Sequence, residues 1–198
     1  MELFSCYTFP HMDTPTPSGP EKISYQGKML EIVEQPMRAG EKSFTLEFAR
    51  RSPGVRLIVQ DDGNILLTKE YRPELKAYDY RLPGGKVIDT LEEYNAFLKS
   101  GADIKAKARE AAEREAKEEI GIVVKDAELF AVSRCGLTVE WDLYYFVVTA
   151  HEQSVQELEA GEDITVVPTE IAEARKMCLD GRINEERSAL ILLRYLSR

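Results

Sequence analysis

The segment Ala106-Lys-Ala-Arg-Glu-Ala-Ala-Glu-Arg-Glu-Ala-Lys-Glu-Glu-Ile-Gly121 reads as one helix with a divided surface. At 100° per residue, Ala108, Ala111, Ala112, Glu118 and Glu119 all fall within about 60° of Glu115. One stripe therefore carries small residues for two turns and then three carboxylates. Ala112, Ala116 and Ile120 form the adjacent stripe, which can pack on a sheet. Like charges three and four residues apart weaken a helix by ~0.2–0.5 kcal/mol per pair, and the end next to Gly121 is the wrong end for acids. Something positive should offset them. Hard oxygen ligands on one spot suit Mg²⁺ or Mn²⁺ together with the oxygens of a phosphate. A solvated charged face is the alternative, since Lys105, Lys107, Arg109 and Lys117 are interleaved.

Outward from this helix the pattern is mostly extended. Upstream, Leu82-Pro-Gly-Gly-Lys-Val predicts a loop or bulge where backbone comes close to something. Val55-Arg-Leu-Ile-Val and Ile65-Leu-Leu-Thr-Lys flank Asp61-Asp-Gly-Asn, a hairpin turn. Met29-Leu-Glu-Ile-Val and Ser43-Phe-Thr-Leu-Glu-Phe-Ala predict two earlier strands, within residues 25–51. Four of the nine prolines lie in the first twenty residues, so residues 1–24 are expected to be a flexible Pro-rich arm. Downstream, strands are expected at about 127–134, 143–149 and 163–167, a helix opening at Pro168 and running to Leu179, and a last apolar-striped helix from Glu185. Strands, a central helix, more strands and a terminal helical pair predict an α/β (α+β) sandwich, with residues 25–198 as one domain.

A chain of 198 residues with 43% apolar content has room for a sizeable core. Lys and Arg number 26 against 35 Asp and Glu, a net charge of −9. That balance argues against nucleic acid or an anionic membrane as the main partner, because both need a basic surface. No apolar run approaches the ~20 residues needed to span a bilayer, and no secretory signal is evident at the N-terminus. Cys6, Cys135 and Cys178 have no paired spacing, which suits a reducing cytoplasm. His11 and His151 as the only histidines, with no CxxC, argue against a structural zinc site.

Arg114-Glu-Ala-Lys-Glu-Glu-Ile-Gly-Ile122 resembles the second half of the Nudix box, G-x5-E-x7-R-E-U-x-E-E-x-G-U, at every fixed position, with Ala116 as the small apolar residue. Leu82-Pro-Gly-Gly-Lys-Val resembles the stretch that opens the box, with Gly85 as its first glycine. The spacing between them exceeds the pattern by about 15 residues, so 89–103 reads as a helical insertion within the box, with Leu91, Tyr94, Phe97 and Leu98 on one side. The box's first glutamate should fall at 106 or 91, where this chain has Ala106 and Leu91. Gly54 to Pro73 and the Gly161-Glu-Asp-Ile-Thr-Val-Val-Pro168 stretch are similar to the ADP-ribose pyrophosphatase and nucleotide-sugar branch.

The resemblance implies a Nudix-like mixed sheet flanked by helices, with an N-terminal antiparallel strand extension. It also implies metal-dependent hydrolysis of a nucleoside diphosphate linked to another moiety, ADP-ribose or a nucleotide sugar. The alternatives are a non-catalytic nucleotide sensor and a hydrolase of dinucleoside polyphosphates or nucleoside triphosphates. Glu115, Glu118 and Glu119 would hold Mg²⁺ or Mn²⁺ with the Gly84 carbonyl, a side chain at Gly84 crowding the metal. Arg114 would orient the carboxylates. Glu162 would activate water, with Glu159 and Glu157 near enough to substitute. Arg72 and Glu140 would contact substrate. Tyr71 could stack on the base or be a core strand tyrosine. Arg81 stands where this branch commonly has an acid, and Cys135 and His151 read as ordinary core or surface residues. The N-terminal strands would pack against a second subunit in a homodimer.

Overall fold

The computed structural model describes residues 13–136, 138–159 and 161–198; Cys6 and His11 lie outside these. The first half is built of β1 (Thr16–Pro17), β2 (Lys22–Gln26), β3 (Glu31–Ala39), β4 (Lys42–Arg50), β5 (Gly54–Asp61), β6 (Asn64–Arg72) and β7 (Ala77–Arg81). Two helices follow, α1 (Leu91–Ser100) and α2 (Ile104–Ile120). The rest comprises β8 (Ile122–Ser133), β9 (Val139–Glu140), β10 (Leu143–Gln153), β11 (Ile164–Glu170), α3 (Ile171–Leu179) and α4 (Glu186–Tyr195).

β5 and β10 run parallel at the centre of a six-stranded sheet ordered β11-β6-β5-β10-β8, with β7 also on β6. A strand covered on both faces needs apolar side chains in both directions, and the Val55–Val59 run supplies them. Val55, Leu57 and Val59 face a core shared with Ala108, Ala111, Ala112 and Ala116 of α2. Ile58 faces the opposite core, with Met177 of α3 and Leu192 of α4. Tyr144 and Phe146 join the first core, and Leu143 and Tyr145 the second. The result is the expected α/β sandwich. At the β5–β6 hairpin, Asp62 and Gly63 both take positive φ, 42° and 78°, as a two-residue turn matching strand twist requires.

Three expectations are corrected. Residues 13–24 are not a loose arm: β1 and β2 pair with β3, and Glu21 receives both Nη groups of Arg50 at 2.9 and 2.8 Å. Residues 1–12 of that arm lie outside the described residues. Pro168 does not open a helix but sits inside β11, an edge strand that spares its missing N–H, and α3 begins at Ile171. In the insertion helix α1, Leu91 and Tyr94 are buried and Phe97 packs against them, while Leu98 is exposed. Thr90 and Glu93 cap α1 reciprocally, and Gly101 ends it in the left-handed region.

Candidate active site

Small side chains bring α2 down onto the sheet, and that approach buries its acids. Ala108, Ala111, Ala112 and Ala116 are all buried, and so are Glu115 and Glu119 one and two turns further along the stripe. The Pro83-Gly84-Gly85 backbone lies between this helix and β5. Leu57 N–H donates to the Pro83 carbonyl at 2.8 Å and Val55 N–H to that of Gly85 at 2.9 Å. Gly84 has φ of +139°, and a Cβ there would stand 2.2 Å from the Val55 carbonyl oxygen. The neighbouring strand by itself requires glycine at 84. A Cβ on Gly85 would stand 2.5 Å from a Glu115 carboxylate oxygen.

The loop and helix are also tied by charge. Gly84 N–H donates to Glu119 at 2.7 Å. Arg114 donates to Glu115 at 2.8 Å and to the Lys86 carbonyl at 3.0 Å, and its guanidinium lies 3.5 Å from Glu118 and 3.6 Å from Asp89. It orients two carboxylates and joins them to the loop. Burial pushes Glu119 up to about 8; the Gly84 hydrogen bond opposes this, and the charges of Glu115 and Glu162 add to it. Burial likewise raises Glu115 and Glu118, against the pull of Arg114. Glu70 is raised by burial, with Arg72 opposing.

The unfavourable end of α2 is met by the segment after β10. Ser154 N–H donates to the Gly121 carbonyl at 2.7 Å, Glu157 N–H to that of Glu118 at 3.1 Å, and the Gln156 side chain to that of Glu119 at 2.7 Å. These contacts hold the following loop so that Glu159 and Glu162 face the helix acids. Glu162 accepts the Glu159 N–H at 3.0 Å.

A pocket of about 310 Å³ brings together Glu115, Glu118, Glu119, Gly84, Arg114, Arg72, Glu159 and Glu162. Glu157 lies outside it, paired with Lys117 at 2.9 Å. Tyr71 and Glu140 also lie outside. Tyr71 is exposed and meets Tyr78 edge-to-face, so it is not a core residue. Glu140 is bound by Arg50 at 3.1 Å. Four further residues, Glu70, Gly85, Lys86 and Asp89, line the pocket. Glu70 was legible: on a strand, residues 70 and 72 share a face and 71 points away, and Glu70 pairs with Arg72 at 2.6 Å. Cys135 is exposed, and His151 sits 3.5 Å from Asp61.

A model of the NUDIX domain matches residues 50–181. The chain belongs to the Nudix family. No curated protein matches the chain. Its fold is similar to that of the crystal structure of an ADP compounds hydrolase, with a TM-score of 0.70 and 19% identity over 96% of this chain and 95% of that one. Relative to the Nudix box, α1 is the insertion. Ala106 is exposed near the start of α2 and Leu91 is buried, so neither supplies the box's first carboxylate; the loop brings Asp89 beside Arg114 instead.

The donor set fits a divalent ion of the kind Nudix hydrolases use. Carboxylates raised by burial and mutual repulsion gain from a hard cation among them. Among the described residues no three acids, histidines or cysteines are already drawn around one point. Arg114 engages Glu115 and Glu118, and the Gly84 N–H engages one oxygen of Glu119, so these partners pre-position the carboxylates.

Proposed function

We propose that this Nudix hydrolase cleaves the pyrophosphate of a nucleoside diphosphate linked to another moiety, with ADP-ribose or a nucleotide sugar as the substrate class. The observation that carries this reading is the convergence of Glu115, Glu118, Glu119, Glu159 and Glu162 on one pocket against the glycine loop. The ADP compounds hydrolase of similar fold supports an ADP-containing substrate. Glu115, Glu118, Glu119 and the Gly84 carbonyl would hold Mg²⁺ or Mn²⁺. The ion when bound neutralises charge on the pyrophosphate oxygens.

The remaining work falls to the chain itself. Arg72 positions a phosphate, with Glu70 fixing its guanidinium. Glu162 orients and deprotonates the attacking water, on a loop anchored through Gln156 to the end of α2. Arg114 keeps Glu115 and Glu118 in place. Arg56 donates to the Gly84 carbonyl at 3.0 Å and aims it. A panel of nucleotide sugars, ADP-ribose and nucleoside triphosphates incubated with Mg²⁺ or Mn²⁺, products read by chromatography, tests the reading. Turnover of the diphosphate-linked compounds is expected; turnover of none would overturn it.

We also propose a homodimer. Phe44 and Leu46 share a face of β4 and are exposed, as are Ile23, Tyr25, Met29 and Leu30 nearby. So much exposed apolar surface on the N-terminal sheet is what a second copy would cover.

A further inference from the structure

Beside the acidic pocket lies a second one of opposite character. It holds about 200 Å³ and shares Arg72, Gly84, Gly85 and Lys86 with its neighbour. Arg51, Arg56 and Arg81 complete a lining of five cations, and no carboxylate lines it. In a chain of net charge −9 this concentration needs a reason.

The partners of these cations can be traced. Arg56 is 3.4 Å from Glu185, Arg72 is 2.6 Å from Glu70, and Arg81 pairs with Asp79. Arg51 and Lys86 have no ion pair among the described residues. The Arg51 guanidinium stacks at 4.4 Å on the Trp141 ring, over which Arg187 also lies at 4.3 Å. Burial lowers the pKa of Arg51, and the like charges of Arg56 and Arg187 lower it further. The Nε atoms of Arg51 and Arg72 are buried without a hydrogen-bond partner. Two uncompensated charges and two orphan donors at a pocket with room for a phosphate suit a phosphate dianion, which accepts several charge-assisted hydrogen bonds at once.

We propose that this pocket is a second anion subsite, holding a phosphate of the substrate beyond the diphosphate cleaved next door. The enzyme then favours diphosphates whose other moiety is itself phosphorylated, or runs of three phosphates, over those ending in a neutral sugar. This rests on the reading of the acidic pocket as the hydrolytic site.

Two matched pairs test it with Mg²⁺ present: ADP-ribose against ADP-ribose carrying a 1-phosphate on its terminal ribose, and diadenosine diphosphate against diadenosine triphosphate. The phosphate-richer member of at least one pair is expected to show a tenfold or greater advantage in kcat/KM, and the pair that does so identifies the source of the phosphate. In Arg51→Gln and in Lys86→Gln that ratio falls toward one, while Arg51→Lys retains most of it. Ratios within twofold in both pairs, or a wild-type ratio unchanged in both glutamine variants, would overturn the subsite. If no compound is hydrolysed, the hydrolase reading fails, and binding alone judges the subsite. Inorganic tripolyphosphate without metal should then raise the melting temperature of the wild type more than that of Arg51→Gln; equal shifts would overturn the proposal.

Discussion

Glu119 concentrates the tension of the site in one side chain. Its carboxyl is buried, accepts one backbone N–H, and titrates at about 8 rather than at the ordinary 4.5. Because the folded state binds this proton more tightly, the stability it contributes is fully present below pH 4.5 and is lost as pH rises through 8. In metal-free protein the melting temperature should therefore fall between pH 5 and 8 more steeply for the wild type than for Glu119→Gln. Parallel profiles would contradict the burial argument. Glu162 poses a different residue-level question, because it acts on water. Glu162→Gln keeps an oxygen to accept the Glu159 N–H, so the loop survives. The expected result is a kcat lowered by ~10²–10⁴-fold with KM nearly unchanged. Loss of activity in Glu159→Gln instead would move the role to that residue. At this scale the helix acids were legible from spacing alone. Glu70 follows only from the period-two alternation of β6, which puts it on the same face as Arg72. Arg56 stands within the apolar Val55–Val59 run, where a charge has to find partners, and it finds Gly84 and Glu185.

Elements were legible where local chemistry dictates them. The Asp62-Gly63 turn, the break at Gly101 and the terminal helix follow from turn residues, a left-handed cap and an apolar stripe. Their extents depend on pairing, which is non-local. β8 starts at Ile122, immediately after α2, because β10 offers a partner from Leu143 to Gln153. β11 continues through Pro168 because that edge has no further strand to serve. The insertion helix α1 fastens the glycine loop to the first core through Leu91 and Tyr94, and Asn95 donates to buried Glu31 of β3 at 2.9 Å. Tyr94→Ala should cost about 3–5 kcal/mol of stability by removing a buried ring, and Leu98→Ala no more than about 0.5 kcal/mol. Denaturant titration of both variants checks this; equal effects would mean that α1 packs by another face.

At the scale of the whole molecule, two sheets divide the work. The central sheet and α2 build the pocket, while α3 and α4 close the opposite core. The N-terminal sheet holds Glu21, Glu31 and Glu140 around Arg50 and leaves an apolar face outward. Alternation within β3 and β4 gave that face from the sequence, but not the strands between Thr16 and Gln26, since prolines and small polar residues carry no periodicity. Light scattering at micromolar concentration should give the mass of a dimer, and Phe44→Glu combined with Leu46→Glu should give a monomer. A monomeric wild type would contradict the homodimer.

The central claim, that buried glutamates on one stripe of α2 hold a catalytic metal, is tested most directly by kcat for ADP-ribose with saturating Mg²⁺ in wild type and Glu119→Gln. A neutral amide in place of the charged ligand should lower kcat by roughly a hundredfold or more, with the circular dichroism spectrum unchanged. A Glu119→Gln enzyme that keeps near-full kcat would contradict the account.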